Sequence, residues 1–168
     1  MSANLMTNQI VDRMEYYWTF AVAPNPNPTF HFGWPQEVDN IHNKVLPLMV
    51  LNPPEITVST MDWNKNHILN NSNWTLITYE GLPRDYNVTD DLKILELWDS
   101  MENDLFNWFY NWWYYYENQL GIEFVLTSPI KITRMKEASN DRMLALKVTF
   151  GFDFYRYCAT TTDYPNVG

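Results

Sequence analysis

At 168 residues the chain has the length of one domain, and a domain of that size buries about 70 % of the surface of its unfolded chain. Hydrophobic residues make up 46 % of the chain and aromatic residues 17 %, which excludes a disordered protein. The 20 acidic residues outnumber the 11 basic ones, and the net charge of −9 argues against nucleic acid as the main partner. We therefore expect a single domain over residues 1–168.

The composition also limits the compartment in which the protein forms. Cys158 is the only cysteine, so no intramolecular disulfide can form, and we expect synthesis in a reducing cytoplasm. The start of the sequence lacks the basic and apolar regions of a signal peptide, and no run reaches the roughly 18 apolar residues of a membrane helix. We expect neither export by a signal peptide nor a membrane partner.

The first predicted element is a helix over about residues 4–20. Its apolar residues recur at spacings of three and four, which places them on one face: Leu5, Met6, Ile10, Val11, Met14, Tyr17 and Trp18. Prolines at positions 24, 26 and 28 then remove hydrogen-bond donors and fix φ. We expect a stiff, extended, Pro-rich arm over 24–35 and an irregular loop for the aromatic residues between 29 and 44.

Two strands are predicted next. Residues 45–51 are apolar, contain Pro47 and end before two further prolines, which is typical of an edge strand that residues 55–60 extend less regularly. Polar residues dominate 61–73, which indicates a loop or hairpin tip. Residues 74–79 have the composition of a second strand.

A long helix over residues 88–120 is the clearest prediction. Asn87 or Thr89 fits the N-cap, and Gly121 can end the helix in the left-handed conformation. Its buried stripe advances by three or four residues through Ile94, Trp98, Met101, Leu105, Trp108, Trp112 and Tyr115.

The C-terminal third predicts two long strands that form a projecting hairpin over 130–154, with a polar tip at 136–142. One face of the last strand is apolar. The other face meets water or a partner, and it carries Ala145, Lys147, Thr149, Gly151 and Asp153. The order of elements predicts an α+β fold, in which an N-terminal helix and a long central helix cover one face of a mostly antiparallel sheet.

Few residues suggest chemistry. His31, His42 and His67 have no metal-ligand spacing, and the isolated glycines form no phosphate-binding loop. Cys158 is interpreted as a structural thiol, since a nucleophile needs a neighbouring base. We predict that the protein is not an enzyme and has no catalytic, metal or cofactor-binding residues and no cofactor.

The central helix carries an aromatic block over 107–116 that exceeds what one buried stripe can accept. The surplus can be covered by the protein's own sheet and loops, by another subunit, or by sugars or bases that stack on the rings. Trp and Tyr are preferred anchors of subunit interfaces. The candidate interface residues are Phe30, Phe32, Trp34, Trp112, Trp113, Lys136, Glu137, Asp141 and Arg142.

Several local patterns also resemble a known family. Residues 30–33 form a Phe-His-Phe-Gly loop before the Pro-interrupted strand at 46–50, and a long helix follows. The predicted hairpin tip holds Glu137 and Asp141, and the last strand ends at Cys158. This order is similar to the neck and tail ring proteins of tailed bacteriophages, of the tail-terminator or tail-completion type, including those of crAss-like phages.

The resemblance implies a structural virion protein that forms a homo-oligomeric ring, sixfold or twelvefold, at the head-to-tail junction or tail. Its partners would be the portal or other neck and tail proteins, with DNA only as passing cargo, and it would reside in the virion after synthesis in the bacterial host cytoplasm. We expect the arm and the hairpin tip to become ordered through contacts with other subunits. Two alternatives stay open: a virion-surface or host-recognition module, and a small-molecule-binding α+β domain with an aromatic pocket.

Overall fold

The computed structural model describes residues 6–21, 28–34, 46–62, 67–82, 91–137 and 143–157. Within these residues the fold is α+β, with two α-helices and a mixed six-stranded sheet. The elements are α1 (Thr7–Tyr16), β1 (Thr29–Phe32), β2 (Leu48–Leu51), β3 (Glu55–Asp62), β4 (His67–Gly81), α2 (Asp91–Tyr114), β5 (Val125–Glu137) and β6 (Met143–Tyr157). Each helix continues into a π-helical turn, at Tyr17–Ala21 and at Tyr115–Gln119.

The sheet is built on two long central strands. Its order is β1-β2-β4-β6-β5. β3 pairs with the first half of β4, along the same edge of β4 that pairs with β2 further on. β4 and β6 are antiparallel along their whole length, from His67 opposite Tyr157 to Gly81 opposite Met143. β5 is antiparallel to β6, whereas β1 is parallel to β2. The predicted α+β class is confirmed, but the sheet is not antiparallel throughout.

The N-terminal part of the sheet differs from the prediction. Residues 29–32 form β1 instead of an irregular loop, because the parallel neighbour satisfies their backbone: the Thr29 amide donates to the Pro47 carbonyl, and the Gly33 amide donates to the Leu51 carbonyl. β2 therefore lies between β1 and β4 and is not an edge strand. Pro47 is tolerated because it precedes the strand, where its carbonyl still accepts a hydrogen bond.

Residues 61–73, predicted as a loop or hairpin tip, extend into two strands: Met61 and Asp62 end β3, and residues 67–73 begin β4. Asn70 and Ser72 are buried in the sheet, where the Ser72 hydroxyl donates to the Phe152 carbonyl at 2.8 Å and accepts from the Trp74 indole N–H at 2.9 Å. These bonds satisfy polar groups that would otherwise disfavour a central strand. Residues 63–66, between β3 and β4, lie outside the described residues.

The apolar core lies between the helices and one face of the sheet. On β6 this face carries the even-numbered positions from Leu144 to Phe154, of which Phe150 and Val148 register with Trp74 and Leu76 of β4. The helices contribute Ile10, Met14, Trp18, Ile94, Met101, Leu105, Trp108, Trp112 and Tyr116 to the same cluster. Since a fully buried large apolar side chain contributes roughly 1.5–3 kcal/mol, this cluster is a major source of stability.

The opposite face is more polar, but it is not wholly exposed. Ala145 is buried between its register partners Tyr79 and Met135, and Gly151 is buried beneath the side chains of its neighbours. The prediction that this face meets water or a partner is therefore wrong at these two positions, because larger side chains of the same chain cover them. Lys147 is exposed, as predicted.

Several predicted features lie outside the described residues. These include residues 24–27 and 35 of the Pro-rich arm, the helix caps at 87 and 89, the hairpin tip at 138–142 and Cys158. The last described pair of β5 and β6 is Glu137 opposite Met143. In the described part of the chain, no helix is long and apolar enough to cross a membrane.

Candidate functional site

The central helix is anchored in the core through its aromatic side chains. The Trp108 indole donates to the Met14 carbonyl at 2.8 Å, and the Tyr116 hydroxyl donates to the Gln9 carbonyl at 2.8 Å. Burial raises the pKa of Tyr116, so this hydroxyl stays protonated and remains a donor. Much of the aromatic block is therefore part of the subunit's own interior.

A second apolar stripe runs along the solvent side of α2. It consists of Leu92, Leu95, Phe106, Tyr110 and Tyr114, all exposed. Tyr110 is 65 % exposed, and its ring stacks on that of Tyr114 with centroids 5.8 Å apart. At 3.6 residues per turn these positions lie opposite the stripe that enters the core.

An open groove of about 500 Å³ follows the C-terminal half of this stripe. Its wall includes Phe109 stacked on Trp113, with centroids 5.5 Å apart, and the Trp113 indole donates to the Glu117 carboxylate at 2.7 Å. Leu126 of β5, the last strand on this side of the sheet, closes it. We call this surface the aromatic groove; it is lined by Phe106, Phe109, Tyr110, Trp113, Tyr114, Glu117, Asn118 and Leu126.

Another apolar surface lies along β3, at the edge of the sheet opposite to β5. We call it the β3 patch; it consists of Ile56, Val58 and Met61, each 40–52 % exposed. Val58 registers with Asn70, and Asn70 registers with Phe154 of the core face. Directly paired residues share a face, so Val58 lies on the core face but beyond the fully buried cluster. Three strand spacings, about 14 Å, separate β3 from β5.

The predicted interface residues occupy different environments. Phe30 is half-buried against the core, whereas Phe32, at the end of β1, and the nearby Trp34 are exposed. Trp112 is fully buried and offers no surface to a partner, while its neighbour Trp113 lines the aromatic groove.

The remaining predicted residues belong to the ends of β5 and β6. The Lys136 ammonium lies 3.5 Å from the Asp91 carboxylate at the start of α2. Glu137 is the last residue of β5, and Asp141 and Arg142 lie outside the described residues. The structure therefore does not bring the predicted residues into one site.

Sequence analysis missed Tyr110 and Val58, the most exposed apolar residue of each surface. Tyr110 and Tyr114 are four residues apart, a spacing that could have indicated a second helical stripe. Ile56 and Val58 are two apart, a spacing that places both on one face of a strand. Neither pattern says whether the face is covered.

A polar network on the opposite face of the sheet joins three strands. The Asn71 side-chain amide donates to Asp153 Oδ1 at 2.9 Å and to Thr127 Oγ1 at 3.1 Å, and the Asn73 amide donates to Asn71 Oδ1 at 3.3 Å. The network surrounds Gly151. Because these groups bond to one another, they serve to connect β4, β5 and β6.

Compared with known proteins, the chain matches no family model and no curated protein. In the ranges covered by the structure, no group of three or more His, Cys, Asp or Glu residues is placed to hold a metal ion. The aromatic groove and the β3 patch are the two surfaces on which we base a functional proposal.

Proposed function

We propose that the chain is a non-enzymatic structural subunit that assembles head to tail into a closed ring, with the aromatic groove of one copy against the β3 patch of the next. The observation that supports this is the presence of two different exposed apolar surfaces at opposite edges of one sheet. A head-to-tail contact requires two different complementary surfaces, whereas a twofold dimer requires one surface that is complementary to itself.

The side chains of the two surfaces suit each other. The aromatic groove presents flat rings, including the stacked pair Tyr110 and Tyr114. The β3 patch presents the branched side chains of Ile56 and Val58 and the flexible thioether of Met61. Thioethers adapt to irregular apolar surfaces and pack favourably against aromatic rings, and tyrosine is enriched in interfaces because it combines an apolar ring with a polar end.

The ring is, in this proposal, a neck or tail ring of a tailed-phage virion, as the sequence resemblance implies. It would be sixfold or twelvefold, contact the portal or other neck and tail proteins, and line the DNA passage. The net charge of −9 supports this role, because an acidic wall repels the phosphate backbone and lets DNA pass without binding. The predicted projection of the hairpin and the arm has no part in this proposal, because β5, β6 and residues 29–32 of the arm pair within the subunit's own sheet.

The mass and shape of the protein particles in solution test whether the chain assembles into rings. We expect wild-type protein to form closed rings of one size, by light scattering and electron microscopy, as its concentration rises. Tyr110→Ser/Tyr114→Ser in the groove and Ile56→Ser/Val58→Ser in the patch should each abolish the rings without changing the circular dichroism spectrum. Leu92→Ser is the matched control, since Leu92 is 77 % exposed on the same helix face but about 27 Å from Tyr110.

Mixing the two variants distinguishes head-to-tail assembly from a twofold dimer. Each variant keeps one intact surface, so an equimolar mixture should form a heterodimer and grow no further. Loss of association in one variant only, with normal association in the other, would indicate a twofold contact and contradict the proposal. Wild-type protein that stays monomeric at every concentration would also contradict it.

A second candidate function is favoured by the groove alone. Its stacked rings stand beside the polar groups of Glu117 and Asn118, a combination typical of small-molecule sites. In this function the chain is a virion-surface or host-recognition module, or a small-molecule-binding domain, that holds a sugar against the rings. Saturable oligosaccharide binding by a monomer in calorimetry, lost in Tyr110→Ser/Tyr114→Ser but kept in Leu92→Ser, would favour it over the ring.

A further inference from the structure

Apart from the short β1, two strands have an edge that pairs with no other strand in the described part of the chain. β5 pairs only with β6, and β3 pairs only with the first half of β4. The free N–H and C=O groups of such an edge can bond to a further strand. β3 is antiparallel to β4, β4 to β6 and β6 to β5, so β3 and β5 run in opposite directions. The β5 edge of one copy can therefore receive β3 of another copy as an antiparallel neighbour.

The layers of the fold fit the same pairing. Residues 55–61 of β3 are all exposed, and no residue of β3 belongs to the described core. The aromatic groove has the opposite deficiency, because Leu126, the strand residue in its wall, belongs to the outermost strand on that side. The rings of α2 that line the groove have no strand beyond β5 to cover. A β3 strand added to β5 would be covered by α2 of the neighbouring copy.

Each of these two strands also carries a charged residue that is left over from the ion pairs of the subunit. Glu55 begins β3 and Lys131 lies in β5, and neither takes part in a salt bridge between described residues. By contrast, Arg134 and Lys136 of β5 already pair with carboxylates of α2. Glu55 and Lys131 are therefore available to each other across a contact between copies.

Glu55 and Lys131 lie on the same face of the sheet. Glu55 registers with Asn73 and Asn73 with Gly151, whereas Lys131 registers with Thr149. Gly151 and Thr149 are two positions apart on β6, so both charged residues lie on the face away from the helices. Opposite charges that face each other on neighbouring antiparallel strands stabilise the pairing of those strands.

We propose that β3 of one copy adds to the free edge of β5 of the next, with Glu55 opposite Lys131, so that the sheet continues from subunit to subunit. The pairing rests on the head-to-tail ring proposed above and gives that ring its backbone contact. Counting along antiparallel strands from this pair places Ile56 opposite Ile130, which packs against the core of its own subunit. Val58 then lies two positions nearer to the aromatic groove.

The β5 edge is not open to every strand. Pro129 has no N–H, and the register of β5 with β6 shifts on both sides of Ser128. Prolines and irregularities of this kind discourage pairing at an edge. A strand is held there only if its side chains add to the backbone bonds, and β3 supplies such contacts through Glu55 and the β3 patch.

Charge reversal tests the proposed register. Glu55→Lys and Lys131→Glu should each raise the protein concentration at which half of the chains are in rings by about three- to tenfold, because like charges then face each other. Glu55→Lys/Lys131→Glu restores opposite charges and should return this concentration to within about twofold of wild type. Lys147→Glu is the matched control and should leave assembly unchanged, because Lys147 is exposed on β6, which is paired on both sides.

Disulfide trapping tests the contact without relying on charge. In a Cys158→Ser background, oxidation of Glu55→Cys/Lys131→Cys should give covalent multimers up to the full ring on a non-reducing gel. This disulfide cannot form within one subunit, because about 14 Å separates β3 from β5 and a disulfide joins Cα atoms at most about 7 Å apart. Glu55→Cys/Lys147→Cys is the control and should form no multimers.

The results distinguish strand addition from ring formation itself. If both single charge reversals assemble like wild type and no disulfide joins positions 55 and 131, strand addition is wrong, while the contact between the aromatic groove and the β3 patch is unaffected. Disulfide dimers from Glu55→Cys alone would show a twofold contact between two β3 strands and overturn the pairing. Wild-type protein that stays monomeric at every concentration would contradict both the pairing and the ring, and would leave the β3 edge to a strand of another protein.

Discussion

The indole nitrogen of Trp108, in the middle of the central helix, donates a 2.8 Å hydrogen bond to the backbone carbonyl of Met14 in the N-terminal helix. Both side chains are fully buried. The two helices are therefore joined by a directional polar contact within an otherwise apolar core, and this contact fixes how α2 is rotated. That rotation determines which aromatic residues of α2 face solvent.

We expect Trp108→Phe to lower the free energy of unfolding by about 2–3 kcal/mol, because it removes this bond and leaves a cavity. Trp113→Phe is the matched control, since the Trp113 indole is half-buried and bonds to the exposed Glu117 carboxylate. Trp113→Phe should lower the free energy of unfolding by less than about 1 kcal/mol. Urea denaturation measures both, and equal losses would contradict the anchoring role of Trp108.

Ser72 should stabilise the folded protein by pairing with the buried indole N–H of Trp74. Its hydroxyl accepts the buried Trp74 indole N–H at 2.9 Å, so Ser72→Ala leaves that donor unpaired and should cost about 1–3 kcal/mol. In a double-mutant cycle with Trp74→Phe, the second substitution removes the donor as well. The two losses should then fall short of additive by about 0.5–3 kcal/mol. Strict additivity would show that the bond contributes nothing.

Gly151 should not accept a side chain. An added Cβ would lie 2.8 Å from Asn73 Oδ1, 2.9 Å from Thr127 Oγ1 and 3.2 Å from the Ser72 carbonyl. We expect Gly151→Ala to cost about 1–3 kcal/mol, and part of that cost to disappear in an Asn73→Ala/Thr127→Ala background.

Gly81→Ala is the control for this substitution, because its nearest contact would be Leu46 at an ordinary 3.5 Å. Gly81→Ala should be neutral or stabilise the protein by up to about 1 kcal/mol, since alanine restricts the unfolded chain. Thermal unfolding of the two variants side by side makes the comparison. If Gly151→Ala lowers the unfolding temperature no more than Gly81→Ala does, the Asn73 and Thr127 side chains move away from the added methyl group at no measurable cost, and the prediction is wrong.

The carboxyl groups of Glu80 in β4 and Asp104 in α2, which line one small pocket, should make stability fall as pH rises above the ordinary carboxyl range. The pKa values of Glu80 and Asp104 are raised above 4.5 and 3.8, so the folded state holds these protons more tightly than the unfolded state. The resulting contribution is present below those ordinary values and is lost as pH rises through the raised folded values.

Glu80→Gln/Asp104→Asn removes this effect and isolates it from all other titrations. The advantage of the variant over wild type should grow from about pH 4 upward and then level off. Urea denaturation at a series of pH values measures the difference between the two proteins. A difference that is constant from about pH 4 to pH 8 would contradict the raised pKa values.

The helices followed from the sequence because helical periodicity is a local property. The described helix bounds, Thr7–Tyr16 and Asp91–Tyr114, lie inside the predicted ranges of 4–20 and 88–120. The strand predicted at 74–79 lies within β4. β1 and the first half of β4 were missed for one reason: their backbone and polar side chains find partners only on distant strands.

The aromatic surface of α2 was likewise predicted only in part. A surplus of aromatic residues in α2 was evident from composition, but the sequence favoured Trp112, which is buried, and missed Tyr110, which is exposed. These residues are two positions apart, and so they lie on opposite sides of the helix. Which of those sides packs on the sheet depends on the long-range contacts of Trp108 and Tyr116 with α1.

The sequence by itself determined the α+β class, the presence of both helices and the excess of aromatic side chains, because each depends on composition or on the spacing of near neighbours. The tertiary structure alone decided the parallel pairing of β1, the polar interior of β4 and the two exposed apolar surfaces. Each of these results from pairing or packing between segments far apart in the chain. Solvent exposure is a property of the whole fold, so no single segment carries it.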